Sequence, residues 1–114
     1  FNKIKSNKIL KISNPNFKFN NLIHVKNLSE IIHKILTKEK KNRIYNLGNK
    51  YPMKLKQVIN YLFMKFKKKT KYEIIKSQNK PFKIKLNKLF LKRYRIFSVR
   101  KSLDVFFNDN NYNV

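Results

Sequence analysis

Tyr61 and Lys65, in the run YLFMK, stand four residues apart, the spacing at which a phenol and an ammonium share one face of a helix. Such a pair can do chemistry. A phenol of ordinary pKa ~10 becomes a usable base near neutrality when a nearby cation stabilises its phenolate. Tyr72 and Lys76 repeat the spacing. With six tyrosines and 25 lysines in 114 residues, about one such pair arises by chance, so the spacing alone does not mark an active site. Tyr61 falls near the margin of an apolar stripe made by Val58, Ile59, Leu62 and Phe63, with Lys65 on its polar side. A helix-edge aromatic beside a solvated lysine is therefore the expected arrangement. The Tyr72 pair falls in a strand pattern, where residues i and i+4 lie some 13 Å apart.

The other reactive residues are sparse. His24, His33 and the five carboxylates Glu30, Glu39, Glu73, Asp104 and Asp109 show no spacing that would gather three metal ligands. The absence of cysteine removes thiol nucleophiles, thiolate metal sites and disulfides together, which fits a reducing compartment and a cytoplasmic location. His24 is a candidate site residue, against the competing account of a half-buried histidine satisfied by a neighbouring backbone group. His33 reads as a helix-edge residue. The net charge of +24 points to a polyanion, and non-specific nucleic-acid binding follows from it. Lysine, however, far outnumbers arginine, the better bidentate phosphate ligand, and alanine is absent. That pattern is what an A+T-rich coding sequence imposes, so much of the charge is compositional.

At 41% hydrophobic, with ten phenylalanines, the chain has the material for one modest core. No apolar run approaches the ~20 residues of a membrane span and no signal peptide opens the chain. It begins with Phe1 rather than Met, from which a segment of a longer protein is expected. KILKIS, residues 8–13, reads as a strand ended by Pro15, and NNLIHV, residues 20–25, as a second. Asn27 is placed to cap a helix from Leu28 to about Lys38, with Leu28, Ile31, Ile32, Ile35 and Leu36 at helical spacing. RIYNLG reads as a strand entering Gly48, where a positive φ is expected. Leu55, Val58, Ile59, Leu62, Phe63 and Phe66 mark a second amphipathic helix. YEIIK gives another strand, Pro81 punctuates, and Leu86 to Tyr94 gives a helix. Ser98 caps a last helix with Val99, Leu103, Phe106 and Phe107 on one face, and residues 108–114 form a frayed tail. Strands alternating with amphipathic helices predict an α/β fold.

The runs FKFNNLIHVKNLSEIIHKIL, RIYNLGNKYPMKLKQVINYL and NKLFLKRYRIFSVRKSLDVFF, in that order, resemble the C-terminal part of extended short-chain dehydrogenases, the NAD-dependent epimerase/dehydratase family. Ile23, His24, Val25, Lys26 and Asn27 match its hydrophobic-His/Tyr-Val strand and helix-capping residue. Tyr45, Asn46, Leu47 and Gly48 match its YN-hydrophobic-G strand end, and Lys88, Leu89 and the run after Ser98 match its closing elements. The likeness implies that residues 1–107 are the C-terminal, substrate-binding portion of a Rossmann-like enzyme acting on a sugar or nucleotide sugar in carbohydrate biosynthesis. It implies NAD(P) in the complete enzyme, which is expected to be a homodimer, and no bound cofactor in this segment. The cofactor domain and catalytic Tyr/Lys pair belong to the part not matched here, so the segment alone is expected to be inactive. A single glycine cannot build the glycine-rich phosphate turn. By the resemblance Asn20, Asn21 and His24 are the substrate-binding candidates. Asn20 and Asn21 replace the family's Arg-Asp, so the charge for a diphosphate contact is missing.

Two other readings compete. In NKLFLKRYRIFSVRK, Phe90, Tyr94 and Phe97 interleave with Lys88, Lys92, Arg93, Arg95, Arg100 and Lys101, as a nucleic-acid-binding module would have them, although core packing explains the aromatics better. The basic amphipathic run Lys54 to Lys69 could lie on a membrane surface, yet its apolar face equally suits packing on a sheet, and no membrane partner is expected. A C-terminal part severed from its main sheet would expose apolar edges and fold poorly by itself.

Overall fold

The computed structural model describes residues 1–39, 41 and 43–110. The chain is mixed α/β, with five helices and two small sheets among the described residues. Its elements are α1 (Asn2–Lys5), β1 (Leu10–Ile12), β2 (Lys18–Phe19), α2 (Val25–Lys38), β3 (Met53–Lys54), α3 (Leu55–Lys65), β4 (Tyr72–Ile74), α4 (Lys88–Arg93) and α5 (Val99–Asp109). β1 and β4 pair in parallel, with Leu10 opposite Tyr72 and Ile12 opposite Ile74. β2 and β3 pair antiparallel, with Phe19 opposite Met53.

The main core forms where the apolar stripe of α3 meets that of α5. Val58, Ile59, Tyr61, Phe63 and Phe66 pack with Val99, Leu103 and Phe107, and Ile4 and Ile12 close the layer. Phe107 takes the Tyr61 and Phe66 rings edge-on, at 5.9 and 5.6 Å between centroids, the offset geometry that ring quadrupoles favour. A second cluster joins Ile31 of α2 to Phe90, Tyr94 and Ile96, with Tyr45 and Leu47 against it. Phe90 and Tyr94 are thus core residues, as expected for the basic aromatic run. α5 starts at Ser98, whose hydroxyl accepts from the Lys101 N–H. At α3 the Gln57 side chain reaches back to the Lys54 N–H. The Leu55 and Lys56 N–H groups donate to the Phe17 and Pro15 carbonyls, so the β1–β2 loop satisfies donors that a helix start leaves open.

Several expectations are corrected. Residues 20–24 form no strand and Val25 already belongs to α2. The N-cap of α2 is His24, whose Nδ1 accepts from the Lys26 N–H, not Asn27. Asn27 is fully buried in the first turn, donating to the Arg95 carbonyl and accepting from the Phe97 N–H, both at 2.8 Å. Ile32 and Leu36 are exposed at 45% and 77%, because α2 is covered only along its Asn27–Ile31 side. Residues 43–48 form no strand, and Gly48 does not have a positive φ. Gly48 is needed for closeness instead: a Cβ there would lie 3.0 Å from the Asn20 carbonyl oxygen and 3.2 Å from Ile84 Cβ. The expected tail is helical through Asp109, and residues 111–114 lie outside the described residues.

Candidate functional site

A groove of about 410 Å³ opens at the carboxyl ends of the parallel strands β1 and β4. That is where open α/β sheets bind ligands, because the loops leaving parallel strands diverge there. Ser13 and Asn14, just past β1, form one wall, and the segment from Ser77 to Phe82, past β4, forms the other. Phe17, Phe19 and Leu55 supply an apolar floor, while Asn21, Asn79 and Lys80 bring polar groups to the rim. Asn14 adopts φ 52°, in the left-handed region that asparagine tolerates better than most residues, and its carbonyl accepts from the Phe17 N–H. This turn presents Phe17 to the groove.

Asparagine side chains, rather than a continuous sheet, fix the segments around the groove. Asn20 is 3% exposed. Its Nδ2 donates to the Ile84 carbonyl at 2.9 Å and its Oδ1 accepts from the Ile84 N–H at 2.8 Å. Asn49 accepts from the Leu22 N–H and donates to the Phe97 carbonyl and Ser102 Oγ. The Asn49 N–H donates to the Asn20 carbonyl at 2.6 Å. These bonds satisfy backbone groups that a ladder would otherwise pair.

The three sequence candidates separate. Asn21 is exposed on the groove wall. Asn20 lies beneath it with both amide atoms committed to Ile84, so it holds the far wall in place and offers little to a ligand. His24 borders a different hollow, of about 330 Å³, with Leu22, Leu103 and Phe106, and its Nε2 is 3.7 Å from an Asp109 carboxylate oxygen. His33 is exposed, as expected. Phe17, Asn79, Lys80 and Phe82 were not singled out from the sequence. Pro81 reads only as punctuation, while Phe82, Ile84 and Leu86 alternate with Lys83 and Lys85, a period-2 signal that could have marked this extended segment.

Tyr61 is not the margin residue the sequence led one to expect. It is 3% exposed, and its hydroxyl donates to Asp104 Oδ1 at 2.5 Å. The Arg100 guanidinium lies 4.1 Å from its ring centroid and the Lys65 ammonium 5.5 Å. Burial first, then the hydrogen bond and negative charge of Asp104, push the phenol well above its usual range, against a smaller pull from Arg100. A base needs the opposite shift. A similar cluster joins α2 to α4, where Glu39 accepts from Tyr94 and Arg93 at 2.8 and 3.1 Å and its pKa is lowered, chiefly by the Tyr94 bond.

No carboxylate or histidine among the described residues lines the groove. Among the described residues no group of three or more His, Asp or Glu could hold a metal ion, and no helix is long and apolar enough to cross a membrane. The one glycine is closed in by Asn20 and Ile84, which leaves no room for a pyrophosphate against its backbone. No protein-family model, curated protein or solved structure matches the chain.

Proposed function

We propose that this chain is the substrate-holding, C-terminal portion of an NAD(P)-dependent epimerase, dehydratase or reductase of nucleotide sugars, and that the groove takes the nucleotide end of the substrate. The observation that carries the reading is the groove's position at the carboxyl ends of β1 and β4, with Asn21 of the resembling motif on its wall. Its composition agrees. Phe17 and Phe19 suit a planar base, Asn21 and Asn79 suit amide and ribose hydroxyl groups, and Lys80 supplies the cation that Asn20 does not. The groove orients and shields its ligand, and the reaction's proton and hydride transfers belong to residues outside this chain.

The test is a nitrogen-15 NMR titration of the chain with UDP-, GDP- and dTDP-sugars and, separately, with NAD. Shifts confined to Asn14, Asn21, Asn79 and Lys80 with at least one nucleotide sugar, and none with NAD, are expected. Silence toward every nucleotide sugar, or saturable NAD binding, would overturn the reading.

A further inference from the structure

The sequence placed nucleic-acid chemistry in the run from Asn87 to Lys101, but its ring residues Phe90 and Tyr94 are 1% and 6% exposed and face the core. The arrangement that such chemistry needs occurs elsewhere. Phe82 is 66% exposed at the mouth of the groove, in a segment that carries Lys80, Lys83 and Lys85, all exposed. Burial alternates along it, with Ile84 and Leu86 turned inward, so Lys83 and Lys85 share the solvent side. The segment has a fixed position, because Asn20 grips both backbone groups of Ile84. Phe82 departs from that alternation: a ring on the side of Ile84 and Leu86 would turn inward, yet it stands in water where, with Lys80, it lines the groove. Among the described residues no acidic side chain lines the groove to compete for Lys80.

We propose that this lip is a binding site for single-stranded nucleic acid, with a base stacked on Phe82 and backbone phosphates held by Lys80, Lys83 and Lys85. Single strands suit it because an unpaired base offers its face to a ring, which a base inside a duplex cannot do. Lysines flanking the ring by one to three residues are spaced to meet successive phosphates. The site rests on Phe82 and its lysines and stands whether or not the chain belongs to a sugar-modifying enzyme.

Fluorescence anisotropy of the chain with a fluorescein-labelled dT12, repeated across 50–250 mM KCl, tests it. The variant with Lys80→Gln, Lys83→Gln and Lys85→Gln is expected to weaken binding about tenfold or more and to flatten the log–log salt slope by about 2, since each single-strand phosphate contact contributes ~0.7. A control removing the same charge from α2, with Lys26→Gln, Lys34→Gln and Lys38→Gln, is expected to change affinity less than about threefold. Phe82→Ala is expected to weaken dT12 about five- to tenfold at unchanged salt slope, and to leave heparin, which has no bases, unaffected. All the substituted side chains are exposed, and circular dichroism checks that each variant folds. Equal weakening by the two lysine sets, a silent Phe82→Ala, or tighter binding of a 12-base-pair duplex than of dT12 would overturn the site.

Discussion

Tyr61 shows how one residue's surroundings decide its chemistry. The spacing to Lys65 is real, and the ammonium does lie over the ring. Yet Asp104 takes the hydroxyl proton's bond, and burial opposes the phenolate. The pair therefore fastens α3 to α5. Tyr61→Phe removes a hydrogen bond to a charged acceptor, for which a loss of about 1.5–3 kcal/mol in urea unfolding at pH 7 is expected. Because the folded-state pKa is raised, this contribution is complete below the unfolded pKa of ~10 and is lost as pH climbs from there toward the folded value. The wild type should lose stability more steeply than Tyr61→Phe above pH ~10, and parallel pH curves for the two proteins would contradict the assignment. Glu39 runs the other way. Its lowered pKa gives stability that is present above the ordinary carboxylate range and disappears as pH falls through it, so Glu39→Gln should flatten the acid limb.

At the scale of elements, α2 to α5 were legible, α1 was not foreseen, and the strands expected at 20–25 and 43–48 do not form. α3 and α5 announce themselves by a 3.6-residue apolar period, and burial of that period builds the main core. The two apolar runs carry a β-type composition, but no ladder joins them; asparagine side chains bridge at long range instead, Asn49 taking the Leu22 N–H and Asn20 the Ile84 backbone, choices that leave no local trace in sequence. Asn27 illustrates the trap. It has the type and position of a cap, yet its amide bridges Arg95 and Phe97 while His24 caps the helix. The groove was half visible. Asn21 came from the resembling motif, whereas Phe82 and Lys80 depend on where Asn20 pins the segment after β4. Asn20→Ala should therefore strand the Ile84 N–H and C=O, cost about 1–3 kcal/mol, and free the lip for hydrogen exchange around Ile84. Gly48→Ala should act on the same joint, since its Cβ meets the Asn20 backbone oxygen at 3.0 Å, with a loss of about 1–3 kcal/mol. Retained slow exchange at Ile84 in Asn20→Ala would show that other contacts hold the lip.

The whole molecule is thin and highly charged, and both properties bear on how it unfolds. It measures 50 × 36 × 17 Å, with a radius of gyration of 16.4 Å, where about 13 Å is typical of a compact chain this long. A slab of that thickness leaves many side chains on a surface, and Leu36 and Ile44 are 77% and 98% exposed. Among the described residues the second cluster has four buried members, Ile31, Phe90, Tyr94 and Ile96, and hydrophobic burial on that scale does not hold a unit by itself. It is tied to the main core through Asn27 and through the Asn49 bonds to Phe97 and Ser102. Unfolding should accordingly begin at the α2–α4 end. Phe90→Ala, which removes a side chain only 1% exposed, should cost about 3–5 kcal/mol and release the amides of α2 and α4 to exchange while those of α3 and α5 stay protected. Phe107→Ala, in the main core, should expose both sets together, because the smaller cluster has nothing left to lean on. The net charge of +24 works against both clusters through self-repulsion that salt screens, with a Debye length of ~3 Å at 1 M. Raising NaCl should slow exchange at both ends, and most at the lysine-rich, weakly cored α2 end. Simultaneous exposure of all four helices in Phe90→Ala would instead mean that the asparagine bridges weld the two clusters into a single cooperative unit.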